Sequence, residues 1–238
     1  MPNLSVIIPA YNEGKQIYSN LKNILGSIEK STKDFELIFV NDGSKDNTLG
    51  EVSKIKDKRL KIKTYTINKG KGYALKYGFS FAKGEYVSFM DADLDINPAS
   101  LKNFFKYMEF HNADIIVGSK RHPQSRVYYP LLRRILSRTY QLMNFFLFRL
   151  SVTDTQSGLK LLKYECAKDL MQKVTVKKYA FDLELLVNAK RRGYKVVEAP
   201  IILDYKFGTT INLNAIIGIF IDTLGVAYRT YILRYYDK

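Results

Sequence analysis

The chain has one cysteine, no tryptophan, two histidines and six prolines in 238 residues. A lone Cys166 excludes an internal disulfide and any zinc site built from cysteines. His111 and His122 stand apart without ligand-like spacing, which argues against a histidine metal centre. Acidic residues are also scarce: 23 against 38 basic ones, a net charge of +15. Such an excess suits an anionic partner, whether nucleic acid, anionic lipid or a phosphorylated substrate. No RRM, KH, zinc-finger or basic-zipper pattern occurs, so nucleic acid is not expected. The opening "MPNLSVIIPAYNEG" has too short an apolar run, and no basic stretch before it, for a signal peptide. Low-complexity linkers and internal repeats are missing too. With 46% hydrophobic residues the chain reads as folded, and it is long enough for a substantial core.

What is present is an alternation of short apolar runs and helical stripes. Leu4 to Ile8, Glu36 to Val40, Tyr86 to Met90 and Asp114 to Val117 read as strands, and 60–67 as a strand near a sheet margin. Between them, 14–30 carries Ile17, Leu21, Ile24, Leu25 and Ile28 on one helical stripe, and 71–83 and 98–111 also read as helices. This spacing argues a mostly parallel sheet covered on both faces. Ligands of such sheets bind beyond the carboxyl ends of strands. The polar motifs fall there: "PAYNE" (9–13), "NDGSKDNT" (41–48) and "DADLD" (91–95). Further on, 120–126 reads as a loop, 130–150 as an aromatic, arginine-studded helix, "TDTQSG" as a polar turn, 179–192 as a helix and 194–203 as a strand.

Asp91, Asp93 and Asp95 at every second position would face one way if the chain stays extended. Clustered carboxylates repel one another and invite a hard cation, Mg2+ or Mn2+, that leaves room for a diphosphate. The plainer reading is a solvated turn with Asp95 or Asn97 capping the helix after Pro98. A calcium loop is excluded, because Ile96 stands where glycine is required and Lys102 where glutamate is. Asp42 at a strand end could accept from a nucleobase or ribose, although the same segment is also a turn built on Gly43. "NKGKG" (68–72) places glycines and Lys71 ahead of a helix, which suits phosphate without matching a Walker loop.

In this order, "PAYNE", "NDGSKDNT", "NKGKG", "DADLD" and "VGSKR" (117–121) resemble a family 2 glycosyltransferase of GT-A fold. More narrowly they resemble the dolichyl-phosphate mannose and glucose synthases. "DTQSGLKLL" (154–162) and "YAFDLELL" (179–186) resemble the glucose type most. The resemblance spans roughly residues 2–210 and implies a Rossmann-like, mostly parallel α/β sheet as one catalytic domain, 1–210. It also implies inverting transfer of a hexose, glucose before mannose, from a nucleotide sugar (UDP-glucose, or alternatively GDP-mannose) to a polyprenyl phosphate. A same-fold enzyme with a soluble glycan acceptor is the alternative. By resemblance Pro9, Tyr11 and Glu13 border the base and ribose, Asp42 holds the base edge, and Asp91 lies near the ribose or diphosphate. Asp93 is the central metal-linked carboxylate, Asp95 lies near the metal, and Mg2+ or Mn2+ is the cofactor. Lys120 stands where relatives commonly carry arginine, and Arg121 beside it could serve instead. Asp154 and Gln156 belong to the acceptor-side turn, with Asp182 and Glu184 on the helix facing it. Relatives often carry "GSK" before the last helices; here "YKFGTTINL" (205–213) puts Thr210 at the lysine position, with Lys206 as a substitute.

A phosphate acceptor is already anionic near neutral pH and needs alignment and charge neutralisation more than a base. Arg133 and Arg134 are candidates to hold it, a solvated or membrane-facing helix being the plain alternative. The run "LNAIIGIFIDTLGVAY" (213–228) carries Asp222 and is short for a spanning helix. Its tyrosine and basic flanks suit an interfacial element, so 211–238 is expected as a C-terminal membrane-associating segment, with a buried core helix as the alternative. Together with 131–150 it would form a platform on a bilayer surface, at the cytoplasmic face. The chain ends where relatives often continue into spanning helices, so anchorage is expected to be monotopic or through a membrane-protein partner.

Overall fold

Two apolar runs set the centre of the sheet. Leu4–Ala10 forms β1 and Phe35–Asp42 forms β2, which is buried along its whole length. They pair in parallel, and the sheet grows outward through β3 (Leu60–Tyr65) on one side and β4 (Tyr86–Phe89) on the other. The computed structural model describes residues 3–125, 131–178, 180–203 and 213–237, with the backbone alone for 131–136 and 213–216. Its sheet has the order β3-β2-β1-β4-β6-β5-β7, with β5 at Ile115–Ser119, β6 at Lys160–Lys163 and β7 at Val196–Pro200. Only β6 runs antiparallel to its neighbours. As expected, 60–65 is an edge strand.

Period-two alternation then separates two cores. Val6 and Ile8 of β1 face α1 (Ile17–Glu29) and α4 (Leu101–His111), whereas Ile7 faces the opposite layer. That layer contains α3 (Lys71–Phe79), α6 (Tyr164–Lys173) and α7 (Phe181–Arg191). The stripe Ile17, Leu21, Ile24, Leu25 and Ile28 is buried, as its spacing requires. The pair β6 and α6 has no counterpart in the sequence reading. A four-residue strand with lysine at both ends carries little periodic signal. α3 ends at Phe79, short of the expected 83. A short helix, α2 (Thr48–Ser53), follows β2, and α5 covers Leu131–Phe148.

The C-terminal segment is not a detached appendage. α8 (Leu213–Tyr231) and the 3-10 turn Tyr235–Asp237 bury Val226 and Tyr236 in the same core as α7. Glu184, fully buried on α7, is the joint. It accepts from the Thr175 and Val176 amides, the Thr175 hydroxyl, Arg229 Nε and the Tyr236 hydroxyl. Arg191 adds a bidentate pair to Asp237. One side of α8 is core, as the alternative expected, while Ile217, Phe220, Ile221 and Leu224 remain exposed.

Glu184→Gln keeps the shape of this joint and removes its charge, leaving Arg229 half-buried without a counter-ion. The expected cost is about 2–3 kcal/mol, toward the low end for breaking a buried pair because Arg229 keeps partial exposure. A urea unfolding series checks it; an unchanged midpoint would contradict the joint.

Candidate functional site

The site lies where β1, β2 and β4 end. Pro9 is the last residue but one of β1, Tyr11 follows the strand and is exposed, and Asn12 turns the chain with a left-handed φ of 57°. This loop is stitched to the one after β2. The Asn12 amide donates to Ser44 Oγ (3.0 Å), Asn12 Oδ1 accepts from the Lys45 amide (2.8 Å), and the Glu13 amide donates to Thr48 Oγ1 (2.8 Å). Asp42 is buried at the end of β2 and both its carboxylate oxygens are engaged. Oδ1 accepts from Tyr65 OH (2.8 Å) and the Lys69 amide (2.7 Å), Oδ2 from Asn68 Nδ2 (3.1 Å) and the Gly70 amide (2.9 Å). Asp42 thus fixes the turn that presents Lys71. Gly70 has φ 92°, a conformation that a side chain would strain.

The run 91–95 does not stay extended, so the three carboxylates do not face one way. A turn begins at Ala92, Leu94 is left-handed at φ 63°, and the Asp95 amide donates to Asp93 Oδ1 (3.0 Å). Short acidic side chains that bond nearby amides favour such turns over strands. The helix that follows is capped as the plainer reading expected: Asn97 Oδ1 accepts from the Ala99 amide, with Pro98 in the first turn. Asp91 points instead to Lys71, whose Nζ lies 2.7 Å from Oδ1. Desolvation in the cleft and the charges of Asp91 and Asp95 push the Asp93 pKa up. Glu13 shares this field: desolvation, then Asp93 and Asp46, raise it as well. Glu13, Asp91 and Asp95 thus each lie near Asp93, without closing into one cluster.

This donor set fits a hard divalent cation. Among the described residues no ion pair engages Asp93, which desolvation first and the neighbouring Asp91 second hold above the usual carboxylate range, and a cation there would offset both. Among the same residues no three His, Cys, Asp or Glu converge as a cage. One or two carboxylates with room for phosphate oxygens is the arrangement Mg2+ uses.

Behind Lys71 lies a chain of charges absent from the sequence reading. Lys71 Nζ is also 3.5 Å from Asp182 Oδ2, and Asp182 Oδ1 is 2.6 Å from Nζ of Lys160, which has 0% exposure. Burial opposes the Asp182 carboxylate, yet Lys160 and Lys71 hold its pKa below the ordinary value. Lys160 also donates to the Ser157 carbonyl. Gly158, which follows Ser157, lies against Asp91: a Cβ there would fall 1.8 Å from Asp91 Oδ2. Only glycine permits this approach between "DTQSG" and "DADLD". The glycine was legible in the motif, but the buried lysine was not, since lysine usually marks surface.

The "DTQSG" turn is braced from both sides. Glu198 of β7 accepts from the Thr153 and Asp154 amides (2.8 and 2.9 Å), and Asp154 Oδ2 accepts from the Lys120 amide (3.1 Å). Gln156 Nε2 donates to Tyr140 OH of α5 (3.3 Å), which shares a hydrogen bond with Thr223 Oγ1 of α8 (3.1 Å). Arg121 donates to the carbonyl and hydroxyl of Ser137 (2.8 and 2.7 Å), tying β5 to α5. The Arg133 and Arg134 side chains, and the stretch 204–212 with Lys206 and Thr210, lie outside the described residues. Asp182 and Glu184 do not act together: Asp182 faces the site, Glu184 the C-terminal joint.

Residues 5–171 match the profile of Glycosyl transferase family 2. A dolichyl-phosphate beta-glucosyltransferase of Trichomonas vaginalis is 31% identical over 250 aligned residues, covering 99% of this chain and 76% of its own. A glucosyl-3-phosphoglycerate synthase of Mycobacterium tuberculosis, solved with Mn2+, UDP-Glc and phosphoglyceric acid, superposes with a TM-score of 0.70 at 16% identity, over 95% of this chain and 79% of that one. A mannosyltransferase of Pyrobaculum calidifontis, solved with GDP-Man and Mn2+, gives 0.64 at 19% identity, over 97% and 64%. At such identities the two structures speak for the fold alone, and that fold is the GT-A architecture the motifs led us to expect.

Asp42→Asn would turn an amide NH2 toward Asn68 Nδ2 and the Gly70 amide, or toward Tyr65 and Lys69. The expected penalty is about 1–3 kcal/mol, local to the turn. Hydrogen exchange at Lys69 and Gly70 should quicken by about tenfold or more while β1 stays protected; unchanged exchange would refute the role given to Asp42.

Proposed function

Because the chain belongs to Glycosyl transferase family 2, we propose that it moves glucose, with inversion, from UDP-glucose to the phosphate of a dolichyl or other polyprenyl lipid. The observation that carries this reading is the contact of Gly158 with Asp91. It joins a carboxylate and ammonium cluster, suited to a diphosphate and its cation, to a turn braced on two helices with apolar outer faces. The relative's name supplies the lipid phosphate and the glucose.

In this reading Pro9, Tyr11, Glu13 and Asp42 frame the nucleoside, Asp42 by holding the 68–70 turn. At the start of α3 the Gly72 and Tyr73 amides are taken by the Lys177 carbonyl, so the Lys71 ammonium is what this turn offers the diphosphate. A divalent cation, Mg2+ or Mn2+, would sit at Asp93 with Asp91 and Asp95 beside it and offset charge on the departing nucleoside diphosphate. The acceptor phosphate needs no strong base, because it is anionic near neutral pH. What it needs is alignment behind the anomeric carbon, which falls to the 153–158 turn and to Arg121 with Arg133 and Arg134.

The lipid tail calls for an apolar neighbour. α5 and α8 run side by side, tied at Tyr140–Thr223 and Leu147–Tyr231. Their outer stripes expose Leu142, Phe145 and Phe146, and Phe220, Ile221 and Leu224. Among the described residues no helix is long and apolar enough to cross a membrane. The two stripes therefore rest on the bilayer surface, at the cytoplasmic face, where a basic protein meets anionic lipid.

A panel of nucleotide sugars with a polyprenyl phosphate, read by product mass, tests the reaction. Glucosyl lipid from UDP-glucose is expected; product from GDP-mannose alone, or transfer only to soluble glycans, would replace the reading. Asp93→Asn should lower turnover by at least about a hundredfold, as electrostatic groups at a departing charge do, and near-normal turnover would refute the assignment. The paired change Phe146→Asp with Ile221→Asp should weaken liposome flotation by about tenfold or more, charge on a membrane-facing helix being costly, while UDP binding stays as in the parent. Undiminished flotation would move the membrane contact elsewhere.

A further inference from the structure

Lys71 is shared unequally between two carboxylates, 2.7 Å from Asp91 and 3.5 Å from Asp182. Asp182 lies deep, and a buried carboxylate must keep a cation beside it. Lys160 meets that need from within, at 2.6 Å and itself without exposure. With Asp182 satisfied from behind, Lys71 leans outward, where its side chain and that of Asp91 are 33% and 38% exposed. Two ammoniums and two carboxylates leave this chain neutral before any ligand arrives.

We infer that Lys71 is a built-in counter-cation that occupies Asp91 until the donor diphosphate draws it away, and that Lys160 and Asp182 are the positioning residues that set where it stands. The inference rests on the reading that Asp91 and Asp93 face the diphosphate and its cation. A divalent cation arriving alone meets Asp91 already neutralised and a positive charge at close range, so its binding is opposed. A nucleoside diphosphate changes the balance. Its phosphate oxygens give Lys71 another anion, at the start of the helix that Lys71 begins. Asp91 is then released toward the cation. Asp182, still paired with Lys160, limits how far Lys71 travels. Cation and nucleotide thus load together, and the cation is weak on its own.

Mn2+ binding to the full chain without nucleotide, followed by electron paramagnetic resonance, tests this apart from catalysis. Lys71→Gln should bind Mn2+ tighter than the parent by at least about tenfold, the effect of removing one adjacent, part-screened positive charge. The same variant should bind UDP without metal more weakly. Lys160→Met should tighten Mn2+ in the same direction by a smaller factor, about threefold, because Asp182 then draws Lys71 inward, and Lys160→Arg should restore the parent value. Damage to the fold would weaken metal binding, so tightening separates placement of charge from structural loss. Mn2+ affinity in Lys71→Gln equal to or weaker than that of the parent overturns the inference, and an unmoved Lys160→Met overturns the part given to Lys160. If the parent binds no UDP at all, the donor reading falls instead, and the Mn2+ comparison still decides the counter-cation.

Discussion

The buried pair of Lys160 and Asp182 is the constraint on which the site depends. Removing either charge from water costs several kcal/mol, recovered only with a close partner and good hydrogen bonds. The pair has both: 2.6 Å between the charges, and the Ser157 carbonyl on the remaining face of the ammonium. Meeting this demand fixes the geometry of three elements at once. β6 must enter the sheet so that its first residue points at the start of α7. The turn before β6 must place its carbonyl on that lysine. Gly158, between them, is thereby pressed against Asp91. The contact between the two halves of the site follows from how one buried carboxylate is neutralised.

α7 carries two such carboxylates with opposite duties. Residues two apart on a helix point to opposite sides, since each residue turns the chain by about 100°. Asp182 therefore looks toward Lys71 and the strand ends, and Glu184 toward Arg229 and Tyr236. Glu184 also holds the Thr175 and Val176 amides, and the next residue, Lys177, accepts from the Gly72 amide (2.8 Å) at the start of α3. The C-terminal helix, the helix carrying Asp182 and the turn that presents Lys71 are thus tied through one side chain. The joint explains why a mostly apolar, terminal helix is partly core.

Legibility in the sequence followed the strength of local signals. β1, β2 and α1 were readable because a continuous apolar run or a stripe such as Ile17, Leu21 and Ile24 has one physical interpretation. The polar ends of the strands were readable because polar motifs cluster there. β6 was not, because a strand of four residues flanked by lysines has no periodicity, and its antiparallel direction is set by neighbours far along the chain. Lys160 was hidden for a related reason: its burial depends on Asp182, which stands 22 residues away. The 91–95 carboxylates were recognised as a group but not in shape. Their turn depends on the Asp95 amide reaching Asp93, a local bond that alternation cannot reveal. Asp182 and Glu184 were grouped by the resemblance of their motif, and helix geometry separates them.

The acceptor proposed for this enzyme poses one further physical problem: its phosphate belongs in water and its chain does not. A site meeting both must lie within a side chain's reach of an apolar surface while keeping its charges solvated. The relay from Gln156 through Tyr140 to Thr223 spans that boundary. It touches α5 and α8 near their midpoints, so both helices extend past the acceptor turn in each direction. Beyond it, Leu142, Phe145 and Phe146 on one helix and Leu224 on the other present apolar surface. One helix with its side chains is about 10–12 Å across. In the proposed reading the thickness of this one layer sets the distance between the bilayer and the turn, and a phosphate at headgroup depth needs to travel no farther than that to meet the sugar.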